Sequence, residues 1–301
     1  MRVFLAGATG AIGVPLVRQL VAAGHHVTAL TRSEGKVGML RGLGAEPAVA
    51  DALDAEALAR AVLAARPTHV IHQLTALPKS GVRRARDLEP TNRLRIEGTR
   101  HLISAAAAAG ARRIVAGSFG LFQGVGEDTP ADVRAGIDAV KSMEDQVLDA
   151  SRRGQIEGVI LRYGLFYGPG TGSTEHMVAL VRRRLLPIVR GDRSLLPCIH
   201  IDDAASATVA ALDRAPSGAS YDIVDDRAVS MTDIVLMLAE QAGAPRPITV
   251  PAWVPRLVAP YLTRITSIRL PLSNARAKAE LGWSPSYPTW RDGLASISQA
   301  A

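Results

Sequence analysis

Short apolar runs bounded by glycine alternate along this chain with longer segments whose apolar residues recur every three or four positions. The first run, Val3-Phe4-Leu5-Ala6, stops at Gly7 and predicts a buried strand. In the next segment Leu16, Leu20 and Val21 fall on one stripe, which predicts a helix, with Pro15 admissible only because it lies in the first turn. Gly24 ends that helix, and residues 26–30 begin a second strand. The alternation continues with a strand ending at Ala48-Val49-Ala50, a helix over Ala55–Ala65 capped by Asp54, and a fourth strand with its exit over residues 68–76. A long helix from Thr91 through the alanines at 105–109, a strand over residues 112–118, a helix carrying Met143, Val147 and Leu148, and a strand from Val159 follow. Strand and helix taking turns in this way predict a doubly wound α/β fold, a parallel sheet covered on both faces. Farther on, Glu175-His176-Met177 opens a helix, residues 198–201 and 221–224 return to strands, and Ser230-Met231-Thr232-Asp233 caps a helix that runs to Gly243.

The first turn is the most informative. Gly7-Ala8-Thr9-Gly10-Ala11-Ile12-Gly13 places three glycines where a strand hands over to a helix N-terminus. Unpaired N–H groups and the helix dipole at such a place can hold a pyrophosphate. The spacing G-x-x-G-x-x-G differs by one residue from the dinucleotide fingerprint G-x-G-x-x-G. After the second strand the chain reads Thr31-Arg32-Ser33-Glu34-Gly35-Lys36. An NAD-binding site usually has an acid at the strand tip for the ribose 2′-hydroxyl, whereas arginine accommodates a 2′-phosphate. Glu34 lies in the turn and not at the tip, so Arg32 and Lys36 point to NADP(H) as the cofactor.

Composition narrows the classes further. The 301 residues are 48% hydrophobic and 21% charged, enough for a substantial core without disulfides, and the one cysteine, Cys198, excludes an intramolecular bridge. The N-terminal apolar run is too short for a signal peptide, and residues 248–262 are broken by Pro251, Pro255, Arg256 and Pro260, so no bilayer-spanning segment is expected. A formal charge of +7 and a pI near 10 rest mostly on scattered arginines with local runs at Arg83-Arg84, Arg152-Arg153 and Arg182-Arg183-Arg184, and few aromatics among them. The expectation is a cytoplasmic protein with a small-molecule substrate and no nucleic-acid or membrane partner, a homodimer being left open as the assembly. No Cys/His cluster has metal-ligand spacing, and His69 and His72 read as structural.

The turn Gly-Ala-Thr-Gly-x-Ile-Gly resembles that of the extended short-chain dehydrogenase/reductase superfamily, the NAD-dependent epimerase/dehydratase family. Other segments carry the resemblance along nearly the whole chain: Asn92 with Gly98-Thr99, Leu161-Arg162 with Tyr167-Gly168-Pro169-Gly170, Ile201-Asp202-Asp203-Ala204, and Leu281-Gly282-Trp283-Ser284-Pro285. It implies a Rossmann domain over residues 1–170, with 198–225 returning to it, and a smaller substrate-binding region over 171–197 and 226–301. It also implies a cofactor site built from Gly7, Thr9, Gly10, Ala11, Ile12, Gly13, Arg32, Lys36, Asp51, Ala52, Leu74, Thr75, Ala76, Lys141, Tyr163, Gly164 and Leu165. In that site Asp51 faces the adenine amino group, and backbone at residues 163–165 faces the nicotinamide carboxamide. The resemblance further implies that Asn92 bonds backbone between central strands, that Gly98 permits close helix–sheet packing, that Asp202 and Asp203 cap and orient, and that Ser118 orients a substrate oxygen.

One departure stands out. The family places Y-x-x-x-K at the start of the helix after Ser118, and Lys141 fits, but four residues before it stands Ile137. No tyrosine lies between Ser118 and Lys141. The expected enzyme is an NADP(H)-dependent oxidoreductase or epimerase-type catalyst with Lys141 and Ser118 in its catalytic site, acting on a specialised substrate. Lys141, Asp138, His176 or water would be the proton source, and Tyr163 and Tyr167 pack without replacing the phenol. A non-redox isomerase, cyclase or lyase with a structural cofactor, or a cofactor-sensing binding protein, are the alternatives.

Overall fold

In the computed structural model, which describes residues 1–78, 82, 84–120, 131–258 and 272–298, a strand–helix alternation runs through residue 163. β1 (Arg2–Ala6) leads to α1 (Gly13–Ala22), β2 (His26–Thr31) to α2 (Val37–Gly42), and β3 (Glu46–Val49) to α3 (Ala55–Ala65). β4 (His69–His72) is followed by α4 (Glu89–Arg93), a π-helical turn at Leu94–Gly98, and α5 (Thr99–Ala108). β5 (Arg113–Phe119), α6 (Ala131–Arg152) and β6 (Glu157–Tyr163) complete the run. Beyond it come β7 (Leu165–Tyr167), α7 (Gly172–Arg182), β8 (Ile188–Val189), β9 (Cys198–His200), α8 (Ile201–Arg214) and β10 (Ser220–Ile223). Then follow α9 (Met231–Gln241), β11 (Thr249–Val250), α10 (Trp253–Val258), α11 (Ala275–Leu281) and α12 (Trp290–Ser298). Residues 79–81 and 83 between the fourth strand and the helix at Thr91, 121–130 between Ser118 and Lys141, and 259–262 of the Pro-interrupted stretch lie outside the described residues.

Seven strands form one sheet in the order β10-β6-β5-β4-β1-β2-β3, every pairing parallel. This is the doubly wound arrangement, and its order reverses between β1 and β4, where such sheets open a crevice for ligands. Burial on both faces explains why these strands read as nearly continuous apolar runs. Val3, Leu5, Ile71, Val115 and Val159 pack with Leu16 and Leu20 of α1 and Ala204 and Ala211 of α8. Phe4, Ala6, Val70, Ile114 and Ile160, one register step away, pack with Leu58 of α3, Leu102 of α5 and Val147 of α6. The Leu-Gly-Trp segment belongs to the first of these cores: Leu281 and Trp283 are buried in it, and Gly282 takes φ +55° to end α11 between them.

The remaining elements build a smaller layer. Tyr167, Val181, Leu196, Cys198, Ile234, Leu238 and Trp290 share its core, and two short sheets, β7 with β9 and β8 with β11, cross it. α8 is capped by His200, whose Nδ1 accepts the Asp202 N–H at 3.3 Å, so the cap expected from Asp202 and Asp203 falls to the preceding residue. Asp203 is buried and accepts the N–H groups of Ser286 and Tyr287 at 2.8 Å each, charge-assisted bonds that tie the C-terminal segment to α8. Gly98 has no tight neighbour: a Cβ there would meet Leu94, Leu74 and Ala52 side chains at 3.6–3.9 Å, ordinary contact, so close packing is not what requires glycine.

Candidate active site

The glycine turn divides into residues the fold needs and one it does not. Gly7 adopts φ +97°, and a Cβ there would lie 2.3 Å from the Gln73 carbonyl oxygen, at the exit of β4. At Gly13 a Cβ would fall 2.2 Å from the Gly7 oxygen, in the first turn of α1. Gly10 closes the turn by donating its N–H to the Gly7 oxygen at 3.0 Å, but it is exposed, and a Cβ there would meet only that same oxygen, at 3.3 Å. The space beside Gly10 is thus left open by the protein, directly ahead of an α1 N-terminus that no side chain caps. Thr9 is half-buried, Ala11 exposed, and Ile12 buried as the residue preceding α1. An opening beside Gly10 ahead of an uncapped helix N-terminus is a place suited to a diphosphate.

Around the turn stand the tips of β2, β3 and β4. Arg32 and Lys36 are both exposed and make no ion pair with a described residue, flanking a single 3₁₀ turn at Glu34–Lys36. Asp54 caps α3 as read from sequence, accepting the N–H groups of Glu56 and Ala57. Asp51 is half-buried with its Oδ1 accepting the Leu53 N–H at 2.9 Å, beside the buried Ala52, whose carbonyl accepts from His101 Nδ1 at 3.1 Å. At the β4 exit Leu74 is half-buried, Thr75 exposed, and the Ala76 N–H goes to the Thr91 hydroxyl at 2.9 Å. No backbone bond of the kind expected of Asn92 is found among the described residues: its Oδ1 is buried without a hydrogen-bond partner, and it is the neighbouring Thr91 that meets the backbone after β4. His72 is structural: its Nδ1 accepts the Leu74 N–H, its Nε2 bonds Thr99, and burial, with Arg95 adding to it, lowers its pKa to about 4.

Ser118 does not present a free hydroxyl. It is buried at the end of β5 and donates to Glu144 Oε1 at 2.5 Å. Glu144 in turn receives the Arg162 guanidinium on both oxygens, at 2.6–3.2 Å. With its O–H donating to Glu144, Ser118 would orient a substrate oxygen, as the sequence suggests, by accepting from a hydroxyl through its lone pairs. Glu144 was not singled out from the sequence. Its signal was there: it lies on the stripe of Ile137, Val140 and Val147, all buried, where a carboxylate needs a partner.

Lys141 is exposed on α6. Ile137, one helical turn before it, is buried to 4% exposure among Leu88, Val133 and Val140, with Val82, Ala85 and Phe119 against them. The position where the family's spacing puts a phenol thus lies in an apolar cluster. Neither nearby tyrosine substitutes. The Tyr163 hydroxyl accepts from Gln73 Nε2 at 2.9 Å and donates to Thr208 Oγ1 at 2.7 Å, whose own proton goes to the Ala204 carbonyl; burial pushes its pKa up. Tyr167 donates to the Thr289 carbonyl at 3.2 Å, stacks on Trp290, and is likewise pushed up by burial. The Gly164 and Leu165 N–H groups are committed to the Ile223 and Pro197 carbonyls at 3.0 and 2.8 Å, so they are not donors for a carboxamide. Asp138 and His176 are exposed on α6 and α7.

Residues 3–225 match the model of the NAD dependent epimerase/dehydratase family. A 3-diazoavenalumate denitrifying reductase of Streptomyces sp is 41% identical, the match covering 98% of this chain and 99% of that one. A ceramide reductase of Caulobacter vibrioides is 31% identical over 98% of this chain and 89% of its own. The crystal structure of Thermus thermophilus UDP-glucose 4-epimerase with NAD shares the fold at a TM-score of 0.77 and 22% identity, covering 100% of this chain and 98% of that one. With a family match over most of its length and whole-length relatives that are reductases, the chain belongs to the NAD-dependent epimerase/dehydratase family of extended short-chain dehydrogenases/reductases.

Proposed function

We propose that the protein is an NADPH-dependent reductase whose substrate accepts a hydride without a proton from the enzyme, an aryl diazonium being the leading substrate class. The observation that carries this reading is the apolar surround of Ile137. A ketone that takes up hydride becomes an alkoxide, and general acid help for that step is worth roughly 10²–10⁴-fold. Nothing at the Ile137 position supplies it. An aryl diazonium that takes up hydride at its ring carbon forms a C–H bond and breaks the C–N bond, whose electron pair leaves with N₂. The arene is neutral at once, and no proton is called for. The diazo substrate and denitrifying reduction named for the 41%-identical relative support the same class.

The cofactor, when bound, supplies the hydride. The chain's own part is to hold it and to exclude other chemistry. The α1 N-terminus beside Gly10 would receive the diphosphate, and Arg32 and Lys36 the 2′-phosphate. Asp51 would meet the adenine edge, with residues 74–76 and the carbonyls of 163–165 along the cofactor's length. Lys141 would hold the ribose hydroxyls as a point charge.

The test is single-turnover reduction of an aryl diazonium salt with NADPH deuterated at the transferring position, heat-denatured protein serving as control. The expected result is one N₂ and one deuterated arene for each NADPH oxidised, with Lys141→Ala slowing the reaction. Brisk reduction of ordinary ketones, or N₂ release without NADPH oxidation, would overturn the reading.

A further inference from the structure

The positive charge of this protein is not scattered. Residues 182–195 and 246–257 contain seven arginines and a single aspartate, six of the seven excess positive charges of the whole chain. Far apart in sequence, the two segments are brought together by the parallel pairing of β8 with β11, Ile188 beside Thr249 and Val189 beside Val250. The Ile188 N–H bonds the Ile248 carbonyl and the Arg190 N–H bonds the Val250 carbonyl, at 3.0 and 2.9 Å, so the flanking residues also lie side by side.

Arg182, Arg183, Arg184, Arg190 and Arg246 are all exposed, and none makes an ion pair with a described residue. The lone carboxylate, Asp192, is turned inward: it accepts the Ser194 N–H and both the N–H and hydroxyl of Thr232, each at 2.9 Å, at the start of α9. The same two segments expose Leu185, Leu195, Ile248, Trp253 and Leu257 at 52–73%, half of the large hydrophobic side chains exposed among the described residues. Arginines alone would fit a nucleic acid. Exposed aliphatic side chains and a tryptophan in the same two paired segments as these five arginines fit a surface that is anionic outside and apolar just beneath.

We propose that this face, built on the β8–β11 sheet and α10, docks on an anionic lipid bilayer, its arginines on the headgroups and Trp253, Leu257 and Ile248 in the boundary layer. The sequence had suggested no membrane partner because no segment can cross a bilayer. Among the described residues no helix is long and apolar enough to do so, but surface docking asks for a patch and not for a span.

Flotation of the full-length protein tests this, with vesicles of phosphatidylcholine alone and of phosphatidylcholine mixed with phosphatidylglycerol, at low and high salt. The protein is expected to float with the mixed vesicles and to be released progressively by salt. Replacing three arginines together (Arg182→Gln, Arg183→Gln and Arg246→Gln) should weaken binding roughly 100-fold, and Trp253→Ser with Leu257→Ser should remove the part that survives high salt. Circular dichroism checks that the variants fold. If the triple variant does not, Arg246→Gln alone and the salt dependence of the unmodified protein decide. The proposal falls if the protein does not float, if it floats equally with pure phosphatidylcholine, or if the arginine variants float unchanged. It also falls if light scattering shows that Trp253→Ser with Leu257→Ser splits a dimer while vesicle binding stays the same. Duplex DNA captured through the same arginines, more tightly than vesicles and indifferent to the apolar pair, would overturn it as well.

Discussion

Gly10→Val separates a glycine left open for a ligand from glycines the fold requires. At Gly13 a Cβ would sit 2.2 Å from the Gly7 oxygen and 2.5 Å from the Ala8 carbonyl carbon, so Gly13→Ala must shift backbone at the first turn of α1, an overpacking cost of roughly 1–3 kcal/mol or more. At Gly10 the one near atom is the Gly7 oxygen at 3.3 Å and the residue is exposed, so Gly10→Val should cost stability only about 0.5–1 kcal/mol. Cofactor binding should respond in the opposite order of magnitude. A branched side chain in that opening keeps a phosphate from the α1 amides, and each charge-assisted bond lost is worth roughly 1.5–3 kcal/mol. Two such bonds correspond to at least about a 100-fold loss of NADPH affinity, at 1.4 kcal/mol for each factor of ten. Calorimetric titration measures the affinity, and thermal denaturation without cofactor measures the stability. An unchanged Kd, or a destabilisation by Gly10→Val equal to that of Gly13→Ala, would refute the reasoning.

Arg32→Ala should erase most of a preference for NADPH over NADH that is expected to be about tenfold or more, from one charge-assisted contact to the 2′-phosphate; equal Kd values in the unmodified protein would refute it. Burial raises the pKa of Asp225 to about 8, well above the unfolded carboxylate near 3.8. The stability this group allows is therefore fully present below about pH 4 and is lost as pH rises toward 8, at most about 1.4 kcal/mol per pK unit. Asp225→Asn should flatten that slope in denaturant titrations between pH 4 and 8, and an unchanged slope would count against a neutral carboxyl there. Ile137→Tyr should destabilise the protein by roughly 1–3 kcal/mol without conferring ketone reduction, because the ring and hydroxyl must enter the cluster of Leu88, Val133 and Phe119; brisk ketone reduction by this variant would show that the surround opens for a phenol.

What the sequence made legible was local and periodic. The strand–glycine–helix handover at Gly7–Gly13, the Asp54 cap and the alternation of strand and helix each depend on a few adjacent residues, and each is found where the pattern put it. What it concealed depends on pairing between distant segments. The arginines of 182–195 and 246–257 look scattered until β8 and β11 bring them to one face. Asn92 and Thr91 are neighbours, and only the approach of the Ala76 N–H decides which of them bridges to the β4 exit.

Ser118 shows the same limit at the point where it matters most for chemistry. Its place at the end of β5 was visible, but its partner was not, because the helical stripe marks Glu144 as inward-facing without saying which group it meets. The sheet settles the matter: β5 and β6 pair with Ser118 opposite Arg162, and α6 lays Glu144 across both. Removing Arg162 would take the ion-pair partner from a buried carboxylate, at a cost of roughly 3–5 kcal/mol. The network is thus held together by its own electrostatics and keeps the Ser118 proton directed away from the cleft. With Ile137 closing the neighbouring position, neither of these two places offers the proton an alkoxide would need, which supports the proposed hydride acceptor that calls for none.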